Sequence, residues 1–193
     1  MEQQTPQTAT ELSTHTSAIR VGDTVIYHLH GKCTIVGIET KSVGGQNFPF
    51  YKVEIQKSSF SRSTKKEPAI WIPVENAHLK GLRQPANAEG IAAAWAILEN
   101  REHYLSTTDA WNITQSNIEA LVRQEGIVGL AKATSFLYVL KKRFFVPPSE
   151  IVKLSETVMK LLTREISDTT SETPRELEER INRAMRYKLY PDH

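Results

Sequence analysis

One stretch decides the predicted fold of this chain: Arg20-Val-Gly-Asp-Thr-Val-Ile-Tyr-His-Leu-His-Gly-Lys-Cys-Thr-Ile-Val-Gly-Ile-Glu-Thr-Lys41. Two apolar runs in it, residues 24–27 and 33–38, have the composition of β-strands and flank a bend at residues 28–31. Glycines before and within these runs permit tight curvature, because glycine has no Cβ to restrict the backbone. The stretch therefore predicts a hairpin at the start of a small, strongly bent SH3-like barrel.

The strand pattern continues to residue 82. Gly44-Gly45 predicts a tight turn, and further strands are predicted at residues 48–55, 69–73 and 79–82. Pro49 indicates an edge or a bulge at the start of its strand. Residues 57–67 form a polar loop with four basic side chains. This loop is interpreted either as a solvated hairpin tip or as a contact for nucleic acid or an acidic partner.

Helical periodicity replaces the strand pattern after a short linker at residues 84–87. The fold class is therefore α+β, with a small Tudor-like or SH3-like barrel at residues 18–83 and an all-α bundle at residues 88–193. Residues 1–17 are rich in Gln, Thr and Ser and are predicted to be a disordered tail. About five helices are predicted, at residues 88–99, 109–123, 127–145 and 151–166, and after a capping box at Thr173-Pro174-Arg-Glu176.

Composition excludes several function classes. The 193 residues carry 24 basic and 22 acidic side chains, so bulk charge does not indicate a protein that coats nucleic acid. The single cysteine, Cys33, excludes an intrachain disulfide and is predicted to be a small buried hydrophobe. The six histidines lack metal-ligand spacing, and no cofactor or metal is expected. No apolar run reaches the roughly 18 residues of a membrane span, so we expect a cytoplasmic, soluble protein.

The sequence carries none of the common catalytic motifs. Phosphate-binding loops, nucleophile elbows, zinc-protease helices and paired carboxylates beside a base are missing as recognisable spacings. We therefore predict a binding protein and not an enzyme.

Several motifs carry a resemblance to a known family. The phrases Val21-Gly-Asp-Thr-Val-Ile-Tyr27, His30-Gly31, Ile38-Glu-Thr-Lys41 and Ile72-Pro-Val-Glu-Asn-Ala77 resemble the amino-terminal module of the CarD/CdnL proteins. Those bacterial proteins bind RNA polymerase at promoters. The resemblance covers most of residues 19–83; beyond residue 87 it depends on the helix order and on Trp111.

The resemblance implies a docking surface for the polymerase β subunit. Lys41 matches a basic family position that contacts this subunit, and Glu39 lies in the same motif. Trp71 occupies a position that is commonly basic in the family, and it either packs against the partner or belongs to the barrel. Strand pairing at an exposed barrel edge is the expected docking mode.

The resemblance also implies contact with promoter DNA through Trp111. Family members insert a tryptophan into the minor groove at the upstream edge of the transcription bubble, whereas the residues alone favour a core position for Trp111. This chain has Asn112-Ile-Thr-Gln-Ser116 where the family usually has basic residues. Four other basic residues are the candidates to replace them: Lys132, Lys141, Lys142 and Arg143. The three at the helix end could equally complement the helix dipole.

These observations predict a monomeric transcription regulator of the CarD/CdnL type. It is expected to bind the RNA polymerase β subunit and to stabilise the open promoter complex by contacting DNA just upstream of the melted region. The alternative is an adaptor of the same fold that binds a polymerase or another protein without touching DNA. Solvent exposure of Trp111 beside a continuous basic surface would favour the first, and burial among helices the second.

Overall fold

A computed structural model describes residues 19–56, 68–100, 102–106 and 108–188. The described chain is a five-stranded antiparallel sheet followed by five α-helices, which confirms the α+β class. The predicted tail at residues 1–17 and the basic loop at residues 57–67 lie outside the described residues.

The sheet contains five strands in the spatial order β4-β3-β2-β1-β5. Their bounds are β1 Thr24–Tyr27, β2 Gly31–Val43, β3 Gln46–Ile55, β4 Ile70–Pro73 and β5 Leu82–Arg83. Strand β1 agrees with its prediction, whereas β2 extends five residues beyond the predicted end at Ile38. The apolar pattern stops there because residues 39–43 are mostly exposed and polar, although their backbone remains paired with β3.

Two local features bend this sheet around its own core. Residues 28–30 form a single 3-10 turn, and Gly31 follows with φ 76°, a conformation that favours glycine. A bulge shifts the β2–β3 register between Ile35 and Gly37. The inner face is a compact apolar cluster in which Cys33 is 0% exposed, as predicted. The other buried members are Val25, Ile35, Tyr51, Val53, Ile72, Ala77 and Leu82.

The helices match their predicted positions with shifts at the ends. Helix α3 ends three residues before the predicted Phe145, because Pro147 has no N–H to donate to the helical hydrogen-bond ladder and disfavours helical backbone before it. Thr173 and Glu176 form the predicted capping box of the last helix. The bounds are α1 Ala88–Glu99, α2 Trp111–Glu125, α3 Ile127–Lys142, α4 Ser149–Ser167 and α5 Pro174–Ala184.

Helix α3 lies at the centre of the bundle, as its apolar composition predicted. Eleven of its residues are buried, and it packs against α1, α2 and α4. Gly129 permits the close approach to α2, because a Cβ at this position would overlap the backbone carbonyl of Leu121. The bundle core also includes the buried apolar residues of α4 and α5.

Candidate functional site

The β2–β3 hairpin brings the three predicted docking residues to one face. After the bulge, Glu39 pairs with Phe50 and Lys41 with Phe48, while Trp71 of β4 pairs with Lys52 of β3. These side chains alternate with the buried Tyr51 and Val53, so they point away from the sheet core. We name Glu39, Lys41, Lys52 and Trp71 the outer patch.

The outer patch is held by charge and by aromatic contact. The Lys41 ammonium lies 3.3 Å from the centroid of the half-buried Trp71 ring, and the Lys52 ammonium lies 5.3 Å from it. Lys52 also contacts Glu39 at 3.3 Å. An exposed ion pair contributes about 0–1 kcal/mol and a cation–π contact about 0.5–2 kcal/mol. The patch therefore presents its charges in defined positions and adds modestly to folding stability. Lys52 was not singled out from the sequence, although its place opposite Trp71 follows once the register is known.

One edge of β2 is open next to this patch. Strand β1 pairs with β2 only from Gly31 to Thr34, and among the described residues no strand pairs with that side of residues 36–43. Three large apolar side chains along this edge are substantially exposed: Val36 by 39%, Ile38 by 50% and Val43 by 55%. Unpaired backbone groups beside exposed apolar side chains form a template for an added strand.

Trp111 is neither a free surface residue nor a fully buried one. It is the first residue of α2 and packs, half-buried, against the helical core. Its ring lines a recess of about 320 Å³ together with Phe136, Phe144 and Ile151. The sequence left exposure and burial open, and the structure places Trp111 between them.

Charge in this recess is mixed. Arg143 lines the recess together with the acidic residues Asp109 and Glu150. Of the four basic residues proposed to grip DNA, the structure therefore brings Arg143 to Trp111.

The other three basic candidates lie along α3 and face different directions. Lys132 contacts Glu125 at 2.6 Å and lies over the Tyr104 ring at 5.3 Å. Nine residues separate Lys132 from Lys141, which is about 180° around a helix. Lys142 lies 4.2 Å from the centroid of the Tyr138 ring. These four side chains do not form one continuous basic face around Trp111.

A junction between the sheet and the bundle was not foreseen from the sequence. The guanidinium of Arg83 donates to both carboxylate oxygens of Glu165, at 2.5 and 2.7 Å, and the backbone N–H of Ala86 donates to the same carboxylate at 2.9 Å. Glu165 is 4% exposed. A ring nitrogen of His28 adds a hydrogen bond, at 2.8 Å, to the carbonyl of Glu119. The linker is therefore fixed between β5 and α4.

A second buried charge lies at the carboxyl end of the described chain. Lys188 is 2% exposed, and its ammonium donates to the carbonyl of Ile97 at 2.9 Å and to the hydroxyl of Ser135 at 2.6 Å. Burial lowers the pKa of Lys188 to about 8, and the Glu102 carboxylate opposes this shift. Lys188 thus ties the end of the chain to α1 and α3.

Within the described ranges, no group of three or more His, Cys, Asp or Glu side chains is arranged to hold a metal ion. None of the helices described is both long and apolar enough to span a lipid bilayer.

The fold and its open edge define a class: a small antiparallel β-module suited to binding another protein. Residues 19–85 match the family model of the CarD-like/TRCF RID domain, so this part of the chain is a domain of that family. The match supports the CarD-like resemblance that the hairpin motifs carried. Domains of this family are non-catalytic, and they indicate an RNA polymerase-interacting, transcription-related protein that binds the β subunit.

Proposed function

We propose that this protein is a transcription regulator that docks on the RNA polymerase β subunit through residues 18–83 and contacts promoter DNA through residues 88–193. The docking surface is the outer patch together with the open edge of β2. One observation carries the docking part of this proposal: Glu39 and Lys41 of one motif and Trp71, which lies 30 residues beyond Lys41, come together beside an unpaired strand edge.

The open edge has the dimensions needed for strand addition. Residues 36–43 span about 27 Å at about 3.4 Å per residue. Backbone hydrogen bonds to an added strand supply affinity without regard to sequence, and neighbouring side chains supply specificity. The outer patch, with two ammonium groups near one tryptophan ring, fits a partner surface that carries carboxylates.

Charge reversal at Lys41 tests the docking surface. We expect Lys41→Glu in the full chain to weaken association with purified β subunit about tenfold at low salt, with a smaller effect at high salt. Lys80→Glu is the matched control, because Lys80 is exposed in the turn after β4 and away from the patch. If both variants weaken association with the β subunit equally, the effect comes from net charge, and the proposal that the outer patch is the docking surface is wrong.

The DNA part of the proposal rests on Trp111 and Arg143. An apolar ring inserted at a base step competes with re-stacking and so favours the opened duplex, while an arginine contacts phosphate. The partly exposed ring and Arg143 share one recess at the start of α2. The expected result is slower collapse of the open promoter complex.

The adaptor alternative is favoured by a different observation. Asp109 and Glu150 line the same recess and oppose the approach of phosphate, and Glu125 pairs with Lys132. If the protein is an adaptor, it docks on the polymerase without contacting DNA.

Two tryptophan variants separate these functions. Trp111→Ala and Trp95→Ala each remove a half-buried indole from the same helical core, and Trp95 lies under Arg180 on a different helix. At a temperature where both variants are folded, the regulator proposal predicts that only Trp111→Ala shortens the lifetime of open complexes. Equal lifetimes for both variants and the wild type, with docking intact, would establish the adaptor.

A further inference from the structure

The open edge of β2 has a charge pattern that complements itself. Residues 36–43 read Val-Gly-Ile-Glu-Thr-Lys-Ser-Val, so Thr40 lies between an acidic and a basic residue. When two copies of a strand pair antiparallel about a central residue, the residue before the centre in one copy lies opposite the residue after it in the other. A pair centred on Thr40 therefore places Glu39 of each copy opposite Lys41 of the other.

The backbone of Thr40 points towards the open edge. Thr40 lies opposite Pro49 of β3, and the Pro49 carbonyl accepts a hydrogen bond at 3.0 Å from the N–H of Val74, on the β4 side. In an antiparallel ladder, the two residues of a pair direct their N–H and C=O groups either towards each other or both away. The Pro49 carbonyl points away from β2, so the N–H and C=O of Thr40 point away from β3. Alternation along the strand gives the same outward direction to Ile38 and Ser42.

This backbone direction limits the registers in which a second copy can pair. Pairing about Thr40 is permitted, and it joins Thr40 to Thr40 and Ile38 to Ser42 on both sides, with about six backbone hydrogen bonds in total. Pairing about Glu39 or about Lys41 is also permitted, but it places a charged residue opposite its own copy, and like charges directly opposite are destabilising. Charge therefore favours the register centred on Thr40, with its two opposite-charge pairs on the outer face.

The side chains along this edge fit the same register. Val43 of each copy would lie opposite Gly37 of the other, where a Cβ would meet no atom within 4 Å, so the exposed valine has room to pack. The helices contact the sheet through residues 28, 32 and 83, at the end of the hairpin opposite the turn at residues 44–45. Residues 36–43 are mostly exposed beyond these contacts.

We infer that two copies of this chain pair along residues 36–43 about Thr40, and that this dimer is a reserve form that does not dock on RNA polymerase. The inference rests on the proposed function in what it regulates, because the dimer covers the open edge and the outer-patch residues Glu39 and Lys41. A single strand edge is smaller than the interfaces of stable complexes, which bury about 1,200–2,000 Å². We therefore expect a weak dimer with a Kd on the order of 100 µM, and the monomer is the docking form.

Exchanging the two charges tests the pairing. In Glu39→Lys both positions are basic and in Lys41→Glu both are acidic, so each variant repels a second copy of itself. An equimolar mixture of the two variants restores both opposite-charge pairs. In sedimentation equilibrium of the full chain at low salt, each variant alone should associate about tenfold more weakly than wild type, and the mixture should associate as wild type does.

Net charge is controlled by Lys80→Glu, an exposed position away from the edge, which should associate as wild type does. A mixture that associates no better than its components overturns the inference. A wild type that stays monomeric at millimolar concentration also overturns it.

Cysteine cross-linking tests the register independently. The Cα atoms of a hydrogen-bonded antiparallel pair lie about 5.5 Å apart, which is within the range of a disulfide, and the native Cys33 is buried. Thr40→Cys should therefore form a cross-linked dimer on mild oxidation. Ser42→Cys is the matched control, because its two copies would lie about 14 Å apart. Equal cross-linking of both variants would exclude this register and overturn the inference.

The cross-linked dimer separates the inference from the proposed function. Purified β subunit should bind reduced Thr40→Cys and not its oxidised dimer. If the oxidised dimer binds as tightly as the reduced protein, the dimer does not block docking and the inference is wrong, while binding to the polymerase stands. If neither wild type nor reduced Thr40→Cys binds the β subunit, the proposed function is wrong, and the charge exchange alone decides whether the chains pair.

Discussion

Neutralising Glu165 should loosen the connection between the sheet and the helical bundle. Its carboxylate accepts three hydrogen bonds, two from Arg83 and one from the backbone of Ala86, and it is 4% exposed. Glu165→Gln keeps the shape but removes the charge and turns an amide NH₂ towards one of these donors. Breaking a buried ion pair costs about 3–5 kcal/mol.

Partial exposure of the partner sets the expected size of the effect. The Arg83 side chain is 25% exposed, so water compensates part of the loss, and we expect about 3 kcal/mol. For a chain of this length, this corresponds to a fall in melting temperature of about 6–12 °C. Denaturant titration and thermal melting of the full chain measure both quantities.

A matched variant controls for the loss of one negative charge. Glu178 lies exposed on α5, and Glu178→Gln should change the free energy of unfolding by less than about 0.5 kcal/mol. If Glu165→Gln is within about 1 kcal/mol of the wild type, the Arg83–Glu165 pair does not hold the junction. The placement of the sheet relative to the bundle would then depend on the other contacts across the junction, such as the hydrogen bond from His28 to the carbonyl of Glu119.

Two further predictions concern other contacts. Below pH 8 Lys188 is protonated in both the folded and the unfolded state, and above pH 8 it loses its proton first in the folded state. The free energy of unfolding should therefore rise between pH 8 and about pH 10. Denaturant titrations should show this rise in the wild type and not in Lys188→Met. A stability that falls over this range in the wild type would show that the pKa of Lys188 is not lowered. Gly31→Ala should cost about 1–3 kcal/mol, because the added Cβ would lie 2.6 Å from Leu161 at φ 76°. Gly44→Ala is the control, because Gly44 has φ 62° and a Cβ there would meet no atom within 4 Å, so this variant carries backbone strain alone. Equal melting temperatures for the two variants would show that Gly31 does not pack closely against Leu161 of α4.

The periodicity of apolar residues predicted most helices and strands, because each of them depends mainly on residues that are close in the sequence. Helix α1 and strand β1 have the predicted bounds, and the capping box of α5 needs only Thr173 and Glu176. The length of β2 was missed because its outer half is exposed on both faces, so its pairing with β3 leaves no apolar signal. The end of α3 was predicted too late because Phe145 is apolar and continues the helical pattern, although it lies beyond the helix.

The candidate site was predictable only in part. The resemblance selected Glu39, Lys41 and Trp71, but the bulge and the register determine that they share a face. The Arg83–Glu165 contact joins residues 82 positions apart, and no local spacing indicates it. The half-burial of Trp111 depends on packing from several helices, which a single sequence does not specify.

Hydrogen exchange of the full chain, with and without the RNA polymerase β subunit, tests the docking surface most directly. Strand addition at the open edge predicts slower amide exchange in residues 36–43 when the β subunit is bound. Residues 24–27 serve as the internal reference, because β1 already lies between β2 and β5. Binding that leaves exchange at residues 36–43 unchanged while protecting another surface would contradict the proposed docking mode.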